Sequence, residues 1–501
     1  MNKPFYITTP IYYVNDSPHI GTAYTTILAD VISRYQKQLG RDSFFLTGLD
    51  EHGQKVQDAA IKRGVDPKDH CDEMSENFIT LWSRLHISNN DFIRTTENRH
   101  KIVVEKILKT VYDAGDIYED EYEGLYSVSE ERFITEKEAE SGQFRDIKKL
   151  KEKNYFFRMS KYQKPLIEHI NSNPMFLQPE HRKNEILGFL KQPLNDLCIS
   201  RPKSRLNWGI ELPFDKDYVT YVWFDALINY ITAPGFLDDK ISFDKYWPAD
   251  MHLIGKDILT THAVYWPTML MSAGIDLPKT IFAHGWWLIQ DEKMSKSVGN
   301  VVNPMDLIDE YGVDPVRYYL MREMVLGQDA NFSVKSFINR YNSDLANDFG
   351  NLLSRISTLI NKNYNGHIPQ ASSLGEEENK IKSLSIELIK KFDFNMSKMS
   401  INEAIEETLQ FVRTINRYFE HMAPWKLVKE DLKSAGTVLY TGAEALRICS
   451  VLLSPIMPKR TEMLLSVLNT DSINRGWGGL EPGKKLGKHT PLFPRINSDN
   501  I

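Results

Sequence analysis

A change of period is the strongest constraint on what this chain folds into. Up to about residue 115, strand-like runs alternate with helical stripes; beyond about residue 340 only helical stripes remain. "FYITT" (5–9) reads as a strand. Ala23, Ile27, Leu28, Val31, Ile32 and Tyr35 then recur at helical spacing until Gly40 offers a stop. "DSFFLTGLDEHG" (42–53) reads as a second strand running into a polar loop. Strands alternating with helices predict a doubly wound parallel sheet, whose ligands sit beyond the carboxyl ends of the strands. His19 and the Asp50-Glu51-His52 loop both fall at such ends.

The fold expected is therefore α/β and Rossmann-type over 1–115, interrupted by a connective insertion over 116–215. The insertion is rich in aromatic and charged residues, and its run "EKEAESGQFRDIKKLKEK" (136–153) reads as a solvated surface. The α/β pattern resumes over 216–277, with "MHLIG" as a strand and "KDILTTHAVYWPTMLMSAG" as a helix ending near Gly274. In the next stretch, 278–340, Asn303 and Pro304 mark a helix start, Gly312 a stop, and Asp314-Pro315 the same start signal again. An all-α bundle is expected over 341–470, where Ile401, Ala404, Ile405, Leu409, Val412, Ile415 and Phe419 trace one apolar stripe, followed by a Gly/Pro-rich tail over 471–501.

With 501 residues the chain exceeds a single core, and a net charge of −6 provides no global basic field, so any RNA contact must come from local patches. Cys71, Cys198 and Cys449 stand alone and build neither a disulfide framework nor a thiolate metal site. No apolar run approaches membrane-span length, and the N-terminus lacks a leader pattern, so a cytoplasmic protein without a membrane partner is expected. "GGLEPGKK" (478–485) nearly matches a phosphate-binding loop. It ends in Lys485 and follows a helix, so it is rejected as one.

"KMSKS" (293–297) lies between a strand and a capped helix, and "PHIG" (18–21) between a strand and a helix. Together they resemble the class I aminoacyl-tRNA synthetases, whose hallmarks are HIGH and KMSKS. Here the first motif reads HIGT, with Thr22 at the place of the second histidine. The resemblance implies adenylate formation: a carboxylate attacks the α-phosphorus of ATP and pyrophosphate leaves. A helix N-terminus suits phosphate, and the reaction asks chiefly for positioning and charge stabilisation. His19, Gly21 and Thr22 would face ATP, and Lys293, Ser295, Lys296 and Ser297 would close on the pyrophosphate. Mg²⁺ is expected to accompany ATP, although no dedicated ligand set is visible.

Further stretches resemble the methionyl-tRNA synthetases: "TTPIYYVNDSPHIG" (8–21), "YVWFDALINYI" (221–231) and "LIGKDILTTHAVYWP" (253–267). By spacing alone, Trp223, Ala226, Leu227 and Tyr230, like Ile258, His262 and Trp266, would be core packing. The resemblance implies that they line a methionine pocket together with Ile11 and Tyr13, and a thioether packs well on aromatic rings. It further implies that Asp50 pairs with the substrate ammonium and that Lys256 and Asp257 contact ATP. In the bundle it gives Asn351, Arg355 and Trp425 to the anticodon of tRNA(Met), an ordinary polar pair and helix-start aromatic otherwise. "SRPKSR" (200–205) is a weaker candidate for the acceptor arm. The insertion lacks Cys-x-x-Cys, so no structural zinc is expected, and a monomer is expected from the lack of an appended dimerisation domain. Three rivals remain: an adenylyltransferase without an RNA partner, a catalytically impaired tRNA-binding paralogue, and a sister synthetase for another apolar amino acid.

Overall fold

The structure is a computed structural model that describes residues 3–14, 17–127, 132–134, 139–140, 147–293, 302–488 and 491–497. It divides into two compact units, Met1–His284 and Gly285–Ile501.

The first unit is organised by a six-stranded sheet. Its strands are β1 (Pro4–Tyr13), β2 (Asp42–Asp50), β3 (Asp91–Arg94), β4 (Leu177–Gln178), β5 (Met251–Gly255) and β6 (Ile281–His284). They lie in the order β3-β2-β1-β5-β6-β4, and every pair is parallel. Strand order reverses between β1 and β5, which opens a crevice at their carboxyl ends. Helix α1 (Ile20–Gln38) buries Ala23, Ile27, Leu28, Val31, Ile32 and Tyr35, the residues whose spacing marks it in the sequence. Helix α2 (Asn98–Asp113) follows β3.

The 116–215 stretch does two things. Ile117–Ser127 and Ile147–Phe157 pair antiparallel along their whole length, outside the central sheet. Leu177–Gln178 instead returns as the edge strand β4, and Leu166, Ile170, Phe176 and Ile186 join the same core as Tyr6 and Ile254. The burial of those four apolar side chains ties this part of the stretch to the main sheet.

Two stretches of the second α/β half depart from a single regular helix. Residues 221–231 fold as the short helix α3 (Val222–Ala226) and one further turn, Asn229–Thr232. Residues 256–274 form a 3₁₀ turn (Lys256–Ile258), a wide π turn (Thr261–Tyr265) and then α4 (Trp266–Ala273), capped by left-handed Gly274. Pro267 has no N–H to give the carbonyl four residues back, which interrupts the α ladder there.

In the second unit, Asn303 caps α5 (Pro304–Tyr311), its side chain accepting from Met305 N at 3.0 Å. The next helix, α6 (Val313–Glu323), begins at Gly312 rather than at Asp314. Asp314 lies inside its first turn, where its carboxylate accepts from the backbone N–H of Arg460. The bundle comprises α7 (Asn351–Asn363), α8 (Glu376–Ser397), α9 (Ile401–Met422), α10 (Pro424–Glu430), α11 (Leu432–Leu453) and α12 (Pro458–Val467). The stripe from Ile401 to Phe419 is fully buried. Among the described residues α11 alone is long and apolar enough to cross a membrane, and its most apolar window is wholly buried in the bundle. Against the sequence expectation that no stretch would qualify, scattered small polar residues leave its mean hydropathy high enough, and packing accounts for it.

Candidate active site

The crevice between β1 and β5 gathers the amino-acid-side candidates. A register shift between Thr8 and Ile11 sets the last residues of β1 opposite the end of β2, with Ile11 against Gly48 and Tyr13 against Asp50. The phenol ring of Tyr13 lies under the Lys55 ammonium, 5.3 Å from the ring centre, and Asp50 is buried beside it in the register. Ile11, Tyr13, Trp223 and Ile258 are half-buried and pack against the apolar core, while Ala226, Leu227, Tyr230, His262 and Trp266 are buried.

Hydrogen bonds determine how the wall of this crevice is protonated. His262 Nδ1 lies 2.9 Å from the Ile258 carbonyl, which only accepts, so Nδ1 carries the proton. Nε2 then accepts from the Tyr230 hydroxyl at 2.8 Å. Behind them Trp266 Nε1 donates to His252 Nε2 at 3.2 Å, which leaves His252 Nδ1–H for Thr8 Oγ1 at 2.8 Å. Tyr230 stacks on His252 with ring centres 4.2 Å apart, and Trp223 meets His262 edge-on at 6.3 Å. Burial pushes His262 down to about 4 and His252 well below the ordinary histidine range, so both rings are neutral at pH 7. The wall is therefore aromatic and uncharged, with the Asp50 carboxylate at its edge. That arrangement suits an apolar side chain attached to an ammonium group.

The ATP-side candidates sit at the start of α1 and the end of β5. His19 caps α1: its Nδ1 accepts from Gly21 N at 3.1 Å, which makes Nε2 the N–H donor. A Cβ on Gly21 would come within 2.9 Å of the His19 ring, so the glycine seats the imidazole. The Thr22 carbonyl accepts from Thr26 Oγ1 at 3.1 Å. At the end of β5, Asp257 folds back so closely that a Cβ on Gly255 would meet its Oδ1 at 2.5 Å. Lys256 is half-buried and Asp257 exposed. His284, at the end of β6, bonds Thr25 Oγ1 through Nε2 at 2.8 Å.

His252, His284 and Asp225 belong to this region and are absent from the sequence-based set. A histidine inside the otherwise apolar strand "MHLIG" is the one signal that marks His252. Lys293 pairs by backbone with Leu288 in a two-residue strand. Ser295, Lys296 and Ser297 lie outside the described residues. Among the described residues no group of three or more His, Cys, Asp or Glu is set to hold a metal.

The basic run 200–205 is engaged within its own unit. Arg201 is buried over the Tyr221 ring, Lys203 pairs with Glu211, and Arg205 pairs with Glu152 at 3.2 Å. In the bundle, Arg355 pairs with Glu420 at 2.7 Å and lies 5.2 Å from the Trp425 ring centre. Asn351 stands four residues earlier on α7, exposed, at a cleft of about 300 Å³ shared with Pro491–Arg495.

Residues 5–143 and 141–357 match the family model described as tRNA synthetases class I (M). Residues 368–500 match the anticodon binding domain of methionyl tRNA ligase. The methionine--tRNA ligase of Fusobacterium nucleatum is 46% identical over 99% of this chain and 80% of its own length. That of Bacillus subtilis is 43% identical over 99% of this chain and 79% of its own. A solved structure, the Mycobacterium tuberculosis methionyl-tRNA synthetase in complex with methionyl-adenylate, superposes with a TM-score of 0.95 at 40% identity, covering 98% of this chain and 100% of that one.

Proposed function

The chain belongs to the methionyl-tRNA synthetases of class I, and on that premise we propose how its residues divide the work. The protein is a methionine--tRNA ligase: it activates methionine with ATP, releasing pyrophosphate, and transfers the methionyl group to tRNA. The observation that carries the residue assignment is the register of Tyr13 against Asp50 beside a buried, neutral aromatic wall.

In this reading Asp50 holds the substrate ammonium, which leaves the methionine carboxylate to attack the α-phosphorus. Ile11, Tyr13, Trp223, Ala226, Leu227, Tyr230, Ile258, His262 and Trp266 enclose or back the thioether. The His19 Nε2–H and the first N–H groups of α1 face the phosphates, with Gly21 keeping the imidazole in place and Thr22 offering a hydroxyl. Lys256 and Asp257 contact ATP. Lys293, Ser295, Lys296 and Ser297 stabilise the leaving pyrophosphate. Mg²⁺ would accompany ATP and supply neutralisation of phosphate charge. Asn351, Arg355 and Trp425 read the anticodon, Trp425 by stacking and the other two at base edges. Residues 116–215 serve as the connective insertion, 278–340 as the region that carries the lysine loop, and 341–470 as the anticodon-binding bundle. The proposal includes a cytoplasmic monomer, which cell fractionation and sedimentation test.

The deciding experiment is methionine-dependent pyrophosphate–ATP exchange with the wild type and with Lys293→Ala/Lys296→Ala. We expect exchange with methionine over isoleucine, leucine, valine and cysteine, and a fall of roughly 100-fold or more in the double variant, the scale of lost transition-state charge stabilisation. Undiminished exchange in the double variant removes the lysine assignment.

A further inference from the structure

Asp225 is a buried carboxylate, 1% exposed, that the proposed chemistry leaves unused. It lies on α3, two residues after Trp223 and next to Ala226. Its Oδ2 accepts from His52 Nδ1 at 2.6 Å and its Oδ1 from His100 Nε2 at 2.7 Å, and no side chain of the three is more than 4% exposed. The three residues come from three places: His52 from the loop two residues beyond Asp50, His100 from α2, and Asp225 from the aromatic wall.

A buried carboxylate is costly unless its oxygens are satisfied. Burial would push Asp225 up, but the neighbouring His52 and the hydrogen bonds from His100 and His52 hold it down at about 2. The loop is secured on its other side as well. Trp208 donates from its indole to the Glu51 carbonyl, packs edge-on against His52 at 5.5 Å, and accepts from Gly53 N at 3.2 Å. Helix α3 has only five residues, so its orientation depends on tertiary contacts: Val222 and Phe224 seat one face in the core, and Asp225 reaches the other elements. Its side-chain tie to the Asp50 loop runs through Asp225.

We propose that Asp225 is a positioning residue: it fixes the distance between the aromatic wall bearing Trp223 and Ala226 and the loop bearing Asp50, and so sets affinity for the amino-acid substrate. The inference rests on the assignment of Asp50 and Trp223 to methionine. It concerns geometry, so an uncharged side chain that keeps both hydrogen bonds preserves the effect. Asparagine does so, because its oxygen accepts from one histidine and its amide donates to the other once that ring changes tautomer.

The test uses the full chain and measures KM for methionine, KM for ATP and kcat in pyrophosphate exchange, with thermal unfolding alongside. Asp225→Ala is expected to raise the methionine KM roughly 10- to 100-fold, the scale of losing buried charge-assisted hydrogen bonds. The ATP KM should stay within about twofold, the signature of ground-state binding lost at one substrate only. Asp225→Asn should recover most of the methionine KM. If Asp225→Ala does not fold, His100→Gln carries the test, with the same split between substrates at a smaller size. Equal changes in both KM values, a change in kcat alone, or an asparagine variant as impaired as alanine would overturn the proposal. Trp223→Ala separates the two layers. If it raises the methionine KM while Asp225→Ala does not, the positioning role falls and the pocket stands; if neither moves it, both fall.

Discussion

Two neutral histidines back the aromatic wall, and their protonation gives a pH dependence that can be signed. His262 is held at about 4 by burial, and His252 is pushed well below 6.5 by the same cause. Unfolding releases both to ordinary values, so between pH 6.5 and about 4 the unfolded chain binds protons that the folded one refuses. Stability is complete above pH 6.5 and falls as the pH drops through that window, on the order of 3 kcal/mol for His262 alone. Asp225, depressed to about 2, loses its contribution only below the ordinary aspartate range and does not confuse the window. Urea midpoints measured from pH 7.5 to 4.5 should fall, and His262→Gln should flatten the fall; a constant midpoint contradicts the neutral-ring assignment. His262 also shows what one residue's spacing leaves open. At i+4 from Ile258 it is equally a core residue and a pocket residue by spacing, and only the hydrogen bonds to Ile258 and Tyr230 define its tautomer.

At the scale of elements, two close approaches make firm demands. A Cβ on Gly48 in β2 would lie 2.1 Å from the Ile93 carbonyl of β3, so Gly48→Ala must part the two strands beneath Asp50. A loss of roughly 2 kcal/mol or more is expected from overpacking of this kind, read as a lower thermal midpoint. In the bundle, Glu444 and Arg447 of α11 form a fully buried ion pair at 2.7 Å. Glu444 accepts the N–H groups of Gly478, Gly479 and Leu480 at 2.7 to 2.9 Å, while Arg447 donates to the carbonyls of Ser472, Asn474 and Gly476. The glycine-rich stretch that nearly matches a phosphate loop thus cradles an internal carboxylate. Glu444→Ala should cost about 3–5 kcal/mol, because it strands a buried guanidinium, and should release the tail to proteolysis. A stability unchanged in the variant would show that the tail is held by other means.

For the whole molecule, the division into Met1–His284 and Gly285–Ile501 predicts separable defects. Trp425→Ala should lower kcat/KM for tRNA by roughly 10-fold or more, the scale of one lost base-stacking contact, and leave methionine-dependent exchange intact. A parallel loss of exchange would remove Trp425 from the anticodon assignment. The change of period at about residue 340, the motifs PHIG and KMSKS, and the apolar stripe of α9 were legible in the residues themselves, because strand and helix spacing and specific short motifs are local properties. They were enough to name an α/β sheet and a following bundle, and the resemblance of the two motifs to class I synthetases implied the reaction class. What tertiary structure alone decided is pairing between distant segments: Leu177–Gln178 returning from the insertion to the sheet edge, Tyr13 in register with Asp50, and His52 and His100 converging on the Asp225 carboxylate. No local period encodes such contacts, since they arise when separate elements bury their apolar faces together and the polar groups carried inside must find partners there.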